Sequence, residues 1–131
     1  MAQSELPANV EHFLSEHIRS IEQLEILLLL REKPEQCRTA ADVYRIVRSS
    51  ERSVTETLER LCQQGLLRRL EGTAPDYQFS PPNERLRQTV DSLARLYAER
   101  RVKIIQAIYS DRVSEVDEFA KAFRLRKDPN A

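Results

Sequence analysis

The side chains best suited to gripping another macromolecule lie between Arg52 and Arg69. Val54, Leu58 and Leu61 recur at i, i+4 and i+7, one apolar stripe of an amphipathic helix. With that stripe turned inward, Arg52, Ser53, Thr55, Glu56, Glu59, Arg60 and Gln63 form its outward face. Short hydroxyls near a helix N-terminus can bond phosphate oxygens or base edges, and the helix dipole favours an anion there. An arginine on such a face can fork onto guanine, and a glutamate can accept from the cytosine amino group. The chemistry on offer is recognition, not bond making.

No catalytic constellation accompanies this face. Two glycines, Gly65 and Gly72, cannot build a loop that cradles phosphate. His12 and His17 are out of step with the i, i+4 spacing that puts two metal ligands on one helix face. Cys37 and Cys62 have no cysteine or histidine near them in sequence, and Cys62 borders the buried stripe as a packing residue. A redox role for Cys62 would need a lowered pKa, for which only the nearby Arg60 speaks. The serines and threonines of interest each read as helix caps. No enzyme activity, cofactor or metal is therefore expected.

The elements that must hold the face follow from periodicity and punctuation. Ser53, followed three residues later by Glu56, reads as a capping box opening the helix, and Gly65 supplies the left-handed residue that ends it. Leu67–Leu70 and Tyr77–Phe79 then read as two short strands, joined by the turn residues Glu71 to Asp76. Upstream, Thr39 opens a short helix with Val43, Ile46 and Val47 inward, and Ser49 to Arg52 is a tight turn. Ser20 to Gln23 forms another capping box, starting a helix through Arg31 that is apolar on most sides and so central to the core. Val10 to Ile18 is helical in spacing. After Ser80-Pro81-Pro82-Asn83, with the prolines suited to a first turn, one unbroken helix is expected from Glu84 to Tyr109, and a last one from Val113 to Phe123.

Two short helices separated by a tight turn, the second stopping at glycine and passing into a strand pair, form a helix-turn-helix followed by a wing. Ser53-Val54-Thr55-Glu56, Leu58 and Leu61, then Gly65-Leu66-Leu67-Arg68-Arg69, resemble the winged helix-turn-helix transcription regulators of the MarR type, and more loosely the PadR and ArsR types. The resemblance spans about Ser20 to Ser80. It implies a mainly α fold with a winged helix-turn-helix core, a small two-stranded β-wing and long helical extensions. The division expected is an N-terminal helical arm (1–19), the winged domain (20–80) and a C-terminal helical dimerisation region (81–131).

The same resemblance implies a homodimer binding duplex DNA. The second helix would enter the major groove through Arg52, Ser53, Thr55, Glu56 and Arg60, Arg38 and Thr39 would meet the backbone, and Arg68 and Arg69 would support the wing. Dimerisation would use Leu93, Tyr97, Val102, Ile105 and Ile108, with Phe119 and Phe123 beyond them; an intramolecular helical hairpin packed on Val10–Ile18 is the competing account of the second half of this region. A small-molecule effector between winged core and dimer helices fits such regulators, but no residue here identifies one.

Charge leaves two readings open. Net charge is zero, which argues against a generic polyanion binder. Residues 1–35 nonetheless carry seven acids against three bases, so the remainder is net basic. From Cys37 to Leu70 seven arginines outnumber four acids, and arginine is the side chain best matched to phosphate. Against this, Glu56 stands where the family often has arginine, Glu59 follows it, and the loop Glu71 to Asp76 has no base. The alternative is a winged helix that has lost DNA binding and holds a partner protein. No stretch of about 18 apolar residues exists for membrane insertion. The N-terminus shows no secretory pattern, so a cytoplasmic location is expected.

Overall fold

Short polar side chains set the helix ends, though not always the ones expected. The computed structural model describes residues 6–109. In chain order they form α1 (Ala8–His17), α2 (Ile21–Glu32), β1 (Arg38–Thr39), α3 (Ala40–Val47), α4 (Glu51–Gln63), β2 (Leu67–Leu70), β3 (Asp76–Phe79) and α5 (Glu84–Glu99). A further helical run occupies residues 101–109.

Ser20 caps α2 by accepting from the Gln23 N–H at 3.1 Å. The Gln23 side chain does not close the box on Ser20. Its Oε1 accepts from the Arg19 N–H at 2.8 Å, and its Nε2 donates to the His17 carbonyl at 2.7 Å. Thr39 caps α3 through a complete box with Asp42. The Thr39 N–H holds the Asp42 carboxyl below its ordinary range, with Arg45 adding to the effect.

The start of α4 departs from the expectation. Ser50 is its cap, accepting from the Ser53 N–H at 3.0 Å, so Ser53 lies inside the first turn. The hydroxyl of Ser53 goes instead to a tertiary partner described below. The far end matches the expectation. Gly65 has φ +83°, its N–H bonds the Cys62 carbonyl at 2.9 Å, and the Leu66 N–H bonds Leu61 at 3.0 Å. That pair of bonds is the Schellman closure. At α5, Asn83 is the cap, so Pro81 and Pro82 precede the first turn.

The sheet has three strands among the described residues, in the order β1-β3-β2, all antiparallel. Arg38 pairs with Tyr77 and Thr39 with Asp76, while Leu67 pairs with Phe79 and Leu70 with Asp76. The expected wing had two strands. The two residues of β1 show no alternation, and only pairing with β3 makes them a strand.

Leu24, Ile26, Leu27 and Leu30 of α2 are buried at the centre, against Val43, Val54, Leu58, Leu61 and Leu66. Each fully buried side chain of this kind contributes about 1.5–3 kcal/mol. Ile46 is not part of this core. It is 53% exposed and lines an open groove of about 450 Å³ between α2, α3 and α5.

The expected single helix from Glu84 to Tyr109 is broken at Arg100, whose φ of −135° and ψ of 56° leave the helical region. A straight helix of that length would run about 40 Å and carry its end past the core. The bend returns Ile104 and Ile108 to the core, 0% and 1% exposed. Leu93, expected at a dimer surface, is likewise fully buried within its own chain, as is Ile108. Tyr97 is half-buried, and its hydroxyl donates to Glu25 at 3.0 Å. Arg101 reaches the same carboxylate at 3.3 Å and lies 4.7 Å from the centre of the Tyr97 ring. Ile105 is half-buried, and Val102 is exposed. Phe119, Phe123 and the expected last helix fall outside the described residues. Among the described residues no helix is long and apolar enough to cross a membrane.

Gln23 is 3% exposed and joins the α1–α2 corner to the end of α4, since Gln64 also donates to the His17 carbonyl at 3.1 Å. Replacing Gln23 by leucine keeps the volume but removes the acceptor of the Arg19 N–H and a donor to the His17 carbonyl. The expected loss is about 1–3 kcal/mol of stability, read as a lower denaturant midpoint at unchanged slope.

Candidate nucleic-acid interface

The stripe Val54, Leu58 and Leu61 is fully buried, and this fixes which way α4 looks. Arg52, Thr55, Glu56, Arg60 and Gln63 are exposed along the opposite face, and Ser53 is half-buried at its edge. The outward ridge read from the sequence is therefore present, apart from Ser53 and Glu59, both half-buried. The Ser53 hydroxyl donates to Glu22 Oε1 at 2.6 Å, and the Ser49 hydroxyl donates to the other oxygen of the same carboxylate. An anion at the positive end of α4 suits the helix dipole. This Glu22 bridge, which sequence pattern did not reveal, takes up the hydroxyl donors that Ser53 was expected to offer outward.

Carboxylates also engage several of the arginines. Arg52 pairs with Glu56 at 3.3 Å and Arg45 with Asp42 at 3.0 Å. Arg69 lies between Glu59 at 3.0 Å and Glu71 at 3.2 Å. Arg68 donates to the neutral Gln78 amide at 2.8 Å. Among the described residues Arg38, on β1, and Arg60, in the last turn of α4, have no carboxylate partner. Thr39 Oγ1 accepts from the Asp42 N–H as a cap, with the hydroxyl half-buried beside α3.

Glu59 has a different role from Glu56. Its Oε2 accepts from the Tyr77 hydroxyl at 2.6 Å as well as pairing with Arg69, so it fastens α4 to β2 and β3. Burial first, and then this hydrogen bond to Glu59, raise the Tyr77 phenol above its ordinary value. Burial, reinforced by Glu59, pushes the Cys62 thiol up to about 11. A thiol so protonated is a poor nucleophile, which speaks against the redox role. His17 stacks on Phe13 with ring centroids 4.6 Å apart. Among the described residues no three groups of the ligating types converge to hold a metal ion.

Two consequences can be measured. Glu59→Ala leaves the Tyr77 hydroxyl buried without its acceptor, so stability falls by about 1–3 kcal/mol. The raised Tyr77 value means that folding favours the neutral phenol. That stabilisation is complete below about pH 10, the unfolded value, and is lost as pH rises through the folded value. Tyr77→Phe is expected to flatten the alkaline arm of a plot of denaturant midpoint against pH. An arm as steep as that of the native chain would contradict the assignment.

No family model matches the chain, and no curated protein matches it in sequence. Solved structures do match it in shape. MepR, a transcription regulator of the Staphylococcus aureus multidrug efflux pump MepA, superposes with a TM-score of 0.54 at 13% identity, over 87% of each chain. A double mutant of Lactococcus lactis ZitR gives 0.52 at 20% identity, over 86% of this chain and 77% of that one. The adhesin competence repressor AdcR of Streptococcus pyogenes gives 0.51 at 18%, over 86% and 83%. The expected likeness to MarR-type regulators holds at the level of architecture: this chain has a winged helix-turn-helix fold with helical extensions.

Proposed function

We propose that this chain is a DNA-binding transcription regulator of the winged-helix type that acts as a homodimer on duplex DNA. The observation that carries the reading is α4 itself, fixed to the core by its apolar stripe and to α2 by Glu22, with Arg52, Thr55, Glu56 and Arg60 facing outward. A MepR–DNA complex is among the structures of similar fold, with a TM-score of 0.54 at 14% identity over 82% of this chain and 89% of that one. In this reading α4 enters the major groove, Arg38 and Thr39 meet phosphates, and Arg68 supports the wing. Two copies would set their α4 helices about 34–36 Å apart on a near-palindromic site. Val102 (65% exposed) and Tyr109 (40% exposed) are large apolar side chains left open on the helical run 101–109. They support burial against a second copy.

Selection of duplexes from random DNA, run beside light scattering for mass, tests both parts. Arg60→Ala is expected to cost about 1–3 kcal/mol of binding if Arg60 forks onto guanine, relaxing preference at one base pair. Val102→Asp is expected to lower the measured mass toward that of a monomer. No binding to any duplex at low ionic strength would remove the DNA reading.

One set of contacts favours a second reading, a winged helix that holds a partner protein. Arg69 is bracketed by Glu59 and Glu71, leaving the wing tip without a free base. Under this alternative Arg52→Ala and Arg60→Ala leave biological activity intact, and Glu56→Arg abolishes it.

A further inference from the structure

We propose that Arg48, in the turn between α3 and α4, is a phosphate contact of the DNA interface; the inference rests on the DNA-binding reading above. Arg48 has φ 61° and ψ 37° and is the non-glycine residue with positive φ among those described. The left-handed region crowds Cβ against the following carbonyl, so it is ordinarily filled by glycine, or by asparagine with its local hydrogen bonds. The helix end needs the conformation: the Arg48 N–H bonds the Tyr44 carbonyl at 2.8 Å. It does not need the guanidinium. A cation at the end of α3 interacts favourably with the helix dipole, but Arg45 already stands in that last turn.

The surroundings say what the side chain does. Arg48 is exposed and lies two residues before Ser50, the cap of α4. Its neighbours in charge are occupied, Arg45 by Asp42 and Arg52 by Glu56. Arg48 has no carboxylate within ion-pair distance among the described residues. The hydroxyls of Ser49 and Ser53, which could otherwise hold a phosphate at this end of α4, are turned back onto Glu22. At the entry to the recognition helix the Ser49 and Ser53 hydroxyls are thus engaged, and one unpaired guanidinium lies beside it. A five-donor fork at that place suits a backbone phosphate flanking the groove that α4 enters.

The test uses the full chain and a mixed-sequence duplex about three helical turns long, since a phosphate contact is independent of sequence. Arg48→Gln and Arg48→Gly are expected to weaken binding by roughly three- to tenfold at low salt. Both should lower the slope of log K against log salt by about one for each copy bound, about two for the homodimer, and Arg48→Lys should retain it. Arg48→Gly should also raise the melting midpoint, because glycine adopts this conformation without steric cost. Loss of affinity together with gain of stability marks a side chain kept for contact. If Arg48→Gln binds with native affinity and slope while Arg60→Ala binds weakly, the DNA reading stands and the Arg48 assignment falls. If the native chain binds no duplex, both fall.

Discussion

The outward presentation of α4 depends on the first turn of α2. Glu22 accepts hydroxyls from Ser49 and Ser53 at the start of α4, and Gln23, one residue on, meets Gln64 at its end. An apolar stripe alone excludes water but tolerates sliding and rotation. Directional bonds at both ends remove that freedom. The Glu22 contact is favoured by the positive end of the α4 dipole, and the Gln23 contact by burial, since an amide shut away from water must find partners. A side chain on the outer face can read a groove only if its helix does not roll, and this brace supplies that condition.

The brace also changes the meaning of the charge asymmetry along the chain. The acidic excess of residues 1–35 is partly turned inward. Glu22 holds the helix-turn-helix, and Glu25 collects Tyr97 and Arg101 where α5 gives way to the next helix. Arg31 pairs with Asp91 across the same α2–α5 seam at 2.9 Å. These contacts attach the C-terminal helices to the winged core. They also explain why Tyr97 sits half-buried against its own chain, where periodicity left its own domain and a partner copy both open.

Much of the architecture was legible because it rests on local rules. Gly65 ended α4 as expected because few residues take φ +83° without strain. Thr39 and Asp42 closed their box because both partners lie within one turn. The failures were tertiary. Ser53 reads as a cap from its local pattern with Glu56, whereas in the fold its hydroxyl goes to Glu22, 31 residues away, and Ser50 is the cap. The break at Arg100 carries no proline or glycine, so nothing local announces it; it follows from where the core ends. At the interface, sequence gave the outward face of α4 but could not show which arginines are already paired.

That pairing reshapes the objection to DNA binding raised by the two glutamates on α4. Glu59 is a fastening to Tyr77 and Arg69, so it is not available to repel a phosphate freely. Glu56 remains, exposed and paired with Arg52. An exposed i, i+4 pair is worth only about 0.3–0.5 kcal/mol, so Arg52 can leave Glu56 for a phosphate at small cost. The Arg69 position is harder to recruit, since moving it abandons two carboxylates and disturbs the acceptor of a buried tyrosine. The electrostatic weakness therefore lies in the wing more than in the helix. A duplex held by this surface would be gripped through the helix-turn-helix side, with the wing acting as a strut that steadies α4.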